Sequence, residues 1–200
     1  MCRCIETIRI EDGRAQQLAY HQRRLDATRR ELFPGAGSLQ LSEVLPAALP
    51  QTGLHKLRLT YAERLIRVEV EPYQRRPVAS LKCVVADDID YRFKWADRSA
   101  LQRLLDQRGD ADEIIIVRRG LVTDSSYSNL VFFDGIDWLT PAEPLLYGTM
   151  REWLLQQRAI TAAPLPVEKL QRFSCVALIN AMNPLGEVVL PIEAVQLPDG

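Results

Sequence analysis

Three short stretches of this sequence hold residue types that could do covalent or acid–base chemistry. The first is Tyr91-Arg92-Phe93-Lys94-Trp95-Ala96-Asp97-Arg98, which sets one lysine between two aromatics with cations on either side. An amine in such a setting is pushed towards its neutral, nucleophilic form. An ordinary surface lysine near a helix start explains the same residues, and on these residues alone it is the plainer account. The second is Gly120-Leu121-Val122-Thr123-Asp124 running on to Asn129, a polar loop between two apolar strands. Loops held by rigid strands often carry function. Asp124 and Asn129 could equally cap the turn through their own backbone. The third is Leu145-Leu146-Tyr147-Gly148-Thr149-Met150-Arg151, a glycine entering a helix. Helix starts of this kind bind phosphate through backbone N–H groups, although many helices begin this way without a ligand.

The elements that would position these residues follow from periodicity. Alternating apolar and polar residues predict a strand over Cys4 to Ile10, and Glu11-Asp12-Gly13 predicts a turn. A short strand over Gln17 to Tyr20 is expected to pair back. Helical spacing then predicts a helix from His21 to Phe33, ended by Pro34 and glycines. A second helix is expected from Leu41 to Leu49, although Pro46 sits inside it. His55 to Tyr61 and Leu65 to Glu71 read as a hairpin. Further strands are expected at Val78–Ala86, Glu113–Arg118, Leu121–Thr123, Leu130–Phe133, Trp138–Thr140, Cys175–Asn180 and Val188–Ile192. Helices are expected at Ser99–Arg108, Gly148–Arg158 and Glu168–Phe173. The break Pro72 to Pro77 is the candidate boundary, giving a small lobe of residues 1–77 and a larger one of residues 78–200. This is an α+β, two-lobed chain.

Composition bounds the possible partners. Of the 200 residues, 47% are hydrophobic and 26% charged, and the net charge is −1. No global field favours nucleic acid or an anionic membrane, and no apolar run approaches a membrane span. The N-terminus has no apolar signal-peptide core, which leads us to expect a cytoplasmic protein. Cys2, Cys4, Cys83 and Cys175 fit no zinc spacing, so no metal is expected and reduced thiols are the reading. Arg23, Arg29 and Arg30 read as a solvated helix face.

In order and spacing, these residues resemble the class IV aminotransferases, the fold-type IV pyridoxal 5'-phosphate (PLP) enzymes. Ile5-Glu6-Thr7 followed by His21-Gln22-Arg23-Arg24-Leu25 is similar to the family's Phe-Glu-Thr strand and His-x-x-Arg-Leu helix. The resemblance implies a D-amino acid aminotransferase-like fold, with a small N-terminal α/β lobe and a larger pseudo-barrel lobe. It implies that Lys94 is the Schiff-base lysine and that Arg24 binds the cofactor phosphate. Asp124 would take the ring-nitrogen position. Gly148, Thr149, Met150, Asn180 and Ala181 would line the phosphate site, and Asn129 belongs to the same cofactor loop. Arg58 and Thr7 are weaker candidates for substrate contact, Arg58 for a substrate carboxylate. An outward-facing charge on the strand explains Arg58 as well.

The resemblance also implies a small amino substrate and a homodimer. Asn180-Ala181-Met182 and the Asp97-Arg98 pair lean towards 4-amino-4-deoxychorismate lyase-like members, which form 4-aminobenzoate and pyruvate. The alternatives are a small-substrate aminotransferase of D-amino acid or branched-chain type, or a catalytically degenerate binding or regulatory member. Three features depart from the family pattern. Asp124 stands where most members have glutamate. Ser99 stands where branched-chain members have tyrosine. The family's Gly-Asp-Gly lead-in, which helps frame the substrate pocket, has no counterpart before Cys4, so the resemblance says least about the substrate.

Overall fold

The structure, a computed structural model, describes residues 2–198. It divides into two compact units. One holds the chain up to Arg75 together with Phe93–Asp97, and the other holds Arg76–Arg92 and the chain from Arg98 onward.

The first unit is a four-stranded sheet with a helix on one face. Its strands are β1 (Cys4–Glu11), β2 (Arg14–Ala15), β3 (His55–Tyr61) and β4 (Leu65–Pro72), in the order β2-β1-β3-β4. β1 and β3 pair antiparallel from Cys4↔Tyr61 to Ile10↔His55. Because side chains alternate along a strand, Cys4, Ile8 and Ile10 share a face with Leu57, Leu59 and Tyr61. Helix α1 (Leu18–Leu32) covers that face with Leu25, and Leu41 of α2 (Leu41–Val44) joins the same buried cluster. Burying each such leucine contributes roughly 1.5–3 kcal/mol.

Three expectations are corrected in this unit. The residues expected as a strand, Gln17 to Tyr20, open α1 instead; the returning strand is the shorter Arg14–Ala15. Leu18 continues the helical stripe of His21 and Leu25 one turn back, so burial favours helix there. The second helix stops at Val44, and Leu45 turns extended (ψ 142) ahead of Pro46, as a following proline demands. Arg29 is buried rather than solvated. Its guanidinium donates to the carbonyls of Ala62, Gly37 and Glu63 at 2.6, 2.6 and 3.0 Å.

The second unit has two sheets. Its strands are β5 (Leu81–Val85), β6 (Glu113–Arg118), β7 (Leu121–Val122), β8 (Asn129–Phe133), β9 (Trp138–Pro141), β10 (Thr161–Ala163), β11 (Cys175–Ile179), β12 (Val189–Pro191) and β13 (Val195–Gln196). The sheet orders are β10-β9-β8-β11-β12 and β13-β5-β6-β7. Helix α3 (Ser99–Leu105) precedes β6, and helix α4 (Thr149–Gln156) packs on the five-stranded sheet. Leu130 and Phe132 of β8 face one cluster, together with Val176 and Leu178 of β11. Val131, Ala177 and Ile179 face Met150 and Leu154 of α4. Both faces are therefore covered, which is why these strands read as continuous apolar runs. The segment expected as a helix over Glu168–Phe173 is a 3-10 turn, Val167–Arg172. β10 and β13 were not expected. Among the described residues no helix is long and apolar enough to cross a membrane.

Candidate functional site

Two clusters of buried polar residues stand out, one in each unit. In the first, Glu6 occupies an inward position of β1, between Cys4 and Ile8, and is wholly buried. It accepts a fork of hydrogen bonds from Arg24, Nε to Oε1 at 2.9 Å and Nη2 to Oε2 at 2.6 Å. His21, one turn earlier on α1, lies 2.7 Å from Oε2 through Nδ1. Burial alone would raise the Glu6 carboxyl; the charge of Arg24 and the bonds from His21 and Arg24 outweigh it and hold the group at about 2. Burial pushes the His21 imidazole below its ordinary value. Glu6 opposes that, while the charges of Arg24 and Lys94 add to it. Glu6 is thus an ionised carboxylate inside an apolar layer, stabilised by one guanidinium.

Lys94 belongs to this unit. Its carbonyl accepts the Ile5 N–H at 2.9 Å, and Trp95 bridges to Cys4. Phe93 and Trp95 meet edge-on with centroids 5.3 Å apart. β1 therefore sets the placement of Lys94 as well as of Glu6, and Lys94 itself is half-buried.

The second cluster surrounds Asp124. Its carboxylate is buried and held by three groups. Asn129 Nδ2 donates to Oδ1 at 2.6 Å, and the Leu146 N–H donates to Oδ2 at 2.9 Å; the Leu145 N–H also contributes. Burial pushes the Asp124 carboxyl up to about 6, against the pull of those bonds and of the Arg151 charge. A buried carboxylate with a raised pKa and, among the described residues, no ion-pair partner at contact distance is an acceptor suited to a cationic donor.

Asn129 ties this carboxylate to α4. Its Nδ2 also donates to the Leu146 carbonyl at 2.8 Å. A Cβ on Gly148 would collide with Asn129 Oδ1. The glycine before α4 is therefore required by close approach, and as the N-cap of α4 it offers no side-chain cap. On the other side of the loop, Asn180 Nδ2 donates to Ser128 Oγ at 2.8 Å, and Asn180 Oδ1 receives the N–H groups of Met182 and Asn183. Ala181 sits half-buried inside that turn. The second unit thus brings together Asp124, Asn129, Gly148, Thr149, Met150 and Asn180.

Arg58 and Thr7 stand apart from Glu6. They are cross-strand neighbours in the β1–β3 register, alternate with the inward residues, and so lie on the sheet face opposite to Glu6. Arg58 Nε is buried and, among the described residues, has no hydrogen-bond partner.

Sequence reasoning passed over three residues that build these clusters. Glu6 and His21 entered only as parts of a motif. Yet a glutamate in the inward register of an apolar strand signals a buried partner. Glu113 was read as part of an apolar run. It is wholly buried and receives Ser126 N–H and Oγ at 3.1 and 2.9 Å. Arg98 Nη2 holds the Ser126 carbonyl at 2.6 Å, so the loop carrying Asp124 is braced from both sides.

The family model described as amino-transferase class IV matches residues 3–192. An uncharacterised protein of Haemophilus influenzae is 38% identical over 185 residues, covering 90% of this chain and 97% of that one. A Haemophilus somnus protein provisionally described as a 4-amino-4-deoxychorismate lyase is 36% identical, with a TM-score of 0.86, covering 92% of this chain and 98% of that one. A hypothetical aminotransferase of Mycobacterium tuberculosis, in a PLP-bound form, shares the fold at a TM-score of 0.73, with 19% identity and coverage of 99% and 84%.

Proposed function

The chain belongs to the class IV aminotransferase family, and from that membership we propose that it is a PLP-dependent enzyme of the 4-amino-4-deoxychorismate lyase kind. Its substrate would be a small amino compound cleaved to 4-aminobenzoate and pyruvate. The observation that carries the cofactor reading is Asp124, buried, fixed by Asn129 and the Leu146 N–H, and pushed up to about 6. A protonated ring nitrogen would supply the positive donor that this carboxylate lacks. Gly148 also fits, because a side chain there would press on Asn129 beside the first turn of α4. The lyase kind is supported by the Haemophilus somnus relative at 36% identity.

When bound, PLP supplies an aldehyde that bonds amines and a ring that takes up the electron pair left at the substrate Cα. The reading gives each side chain one task. Lys94 Nζ would hold the cofactor's aldehyde and would serve as the base for the substrate Cα proton. Asp124 would accept from a protonated ring nitrogen and so favour that proton. Arg24 would take the phosphate charge through its planar guanidinium. The backbone N–H groups of Thr149 and Met150 are assigned to phosphate, with Asn180 and Ala181 beside it. Arg58 and Thr7, on the other sheet face, are kept for the substrate. The family's homodimer belongs to the same reading, and the solution mass of the protein tests it.

Two measurements test the function. The visible absorbance of cofactor-loaded protein should vanish in Lys94→Ala without loss of fold. With 4-amino-4-deoxychorismate as sole substrate, pyruvate should appear with no keto acid added. A dependence on added keto acid would replace the lyase reading with transamination, and a protein that takes up no PLP would end both.

A further inference from the structure

Glu6 is an expensive residue in its position. The other inward residues of β1 are Cys4, Ile8 and Ile10, all wholly buried and apolar. A buried ion pair rarely stabilises a fold better than apolar residues of the same volume. A charge kept in an apolar register is where a fold departs from its own pattern for function.

The geometry of the cluster says what that function is. Arg24 is not left to sweep through its rotamers. Its Nε and Nη2 are both engaged by the Glu6 carboxylate, at 2.9 and 2.6 Å. That fork fixes the plane of the guanidinium and places its remaining donors, on Nη1 and the outer side of Nη2, on the edge away from Glu6. Glu6 itself cannot rotate, because His21 Nδ1 lies 2.7 Å from Oε2. His21 and Arg24 are three apart on α1 and so share a helix face. The depth changes along the cluster: the Glu6 and His21 side chains have no exposed surface, while the Arg24 side chain is 13% exposed. The buried pair thus holds a cation whose far edge reaches outward. The residue before Glu6, Ile5, holds the Lys94 carbonyl, so one strand sets both groups.

We propose that Glu6, braced by His21, is a positioning residue that orients Arg24 to receive the phosphate of the cofactor. This rests on the reading that Arg24 binds that phosphate. A positioned guanidinium binds an anion more tightly because its orientation is not lost on binding.

The test compares PLP with pyridoxal, which has the same ring and aldehyde but no phosphate. Both are titrated into cofactor-stripped wild type, Glu6→Gln, Arg24→Gln and the double variant. Wild type should favour PLP, and Arg24→Gln should cut that preference, leaving the share owed to the backbone N–H groups of Thr149 and Met150. Glu6→Gln should bind PLP at least about tenfold more weakly, the loss of one charge-assisted hydrogen bond, while pyridoxal binding stays unchanged. The double variant should match Arg24→Gln. A Glu6→Gln protein with wild-type preference for PLP overturns the proposal. So does equal weakening for both compounds, which a merely structural role would produce. If Glu6→Gln does not fold, Glu6→Asp is read for the same ratio, which should fall; an unchanged ratio overturns the proposal. A wild type that binds no PLP, or an Arg24→Gln whose preference is undiminished, removes the reading itself and the proposal with it.

Discussion

Replacing Asp124 with asparagine perturbs one charge without changing shape, and the structure sets the size of the response. Burial raises the Asp124 carboxyl from an ordinary 3.8 to about 6 in the unliganded protein. That makes the ionised form cost about 3 kcal/mol in the folded chain at neutral pH. Below pH 3.8 the group is protonated in both folded and unfolded chains, and it costs nothing. Between 3.8 and about 6 only the unfolded chain ionises. The folded chain then holds the extra proton, and stability falls as pH rises. Above about 6 the full penalty is present.

Asparagine removes this slope but carries a cost of its own. The two carboxylate oxygens accept from Asn129 Nδ2 and from the Leu146 N–H. An amide offers one oxygen, so one donor meets a donor, at about 1–3 kcal/mol. Absolute stability at neutral pH should therefore change little, while its pH dependence changes much. His21, held below its ordinary value, gives a slope of the opposite sign, lost stability as pH falls through the ordinary imidazole range. It is present in both proteins and cancels in the difference.

Urea unfolding of cofactor-stripped protein, from about pH 7 to about pH 4, gives the comparison. Wild type minus variant should grow by about 3 kcal/mol in favour of wild type on acidification. The same variant should bind PLP roughly tenfold to a hundredfold more weakly, from loss of a charge-assisted bond. Equal slopes in the two proteins would refute the buried-carboxylate reasoning. Undiminished PLP affinity would refute the assignment of Asp124 to the ring nitrogen.

Three further outcomes follow from the same packing. Gly148→Ala drives a methyl into Asn129 Oδ1; it should destabilise by about 1–3 kcal/mol and weaken PLP binding, read by thermal melting and by absorbance titration. Glu6 is held at about 2 against an ordinary 4.5, worth about 3 kcal/mol. Because its folded value is depressed, that stability is full above about pH 4.5 and is lost towards pH 2; acid titration followed by circular dichroism should show Glu6→Gln lacking this component. Leu25→Ala empties a wholly buried position under β1 and β3, and should cost about 2–5 kcal/mol in denaturant.

The sequence carries local information well and partner information poorly, and particular residues show where the line falls. β3 alternates along its length and β1 alternates from Glu6 onward, so their faces could be read directly. β10 and β13 have three and two residues; each exists because a neighbouring strand offers it backbone partners, which no local pattern records. Pro46 ends α2 as its chemistry requires, although the spacing of Leu41, Leu45 and Leu49 continues the helical pattern across it. Arg29 shares α1 with truly exposed arginines, and only the carbonyls of Ala62, Gly37 and Glu63 arriving from elsewhere make it a buried residue.

The candidate site divides the same way. Gly148 was legible as a helix start, whereas the reason for a glycine there lies in Asn129, a residue on another element. Asn129 is an odd-numbered residue of β8, like Val131, and so faces α4 rather than the opposite cluster. Once the strand register is known, the glycine, the amide and the Asp124 carboxylate become a single requirement: the side chain missing at 148 makes room for the one at 129, which holds the one at 124. Glu6 carries the converse lesson. Its signal, a charge in an apolar register, was present in β1 from the start, and the partner it demanded was Arg24, the residue already singled out for an anion.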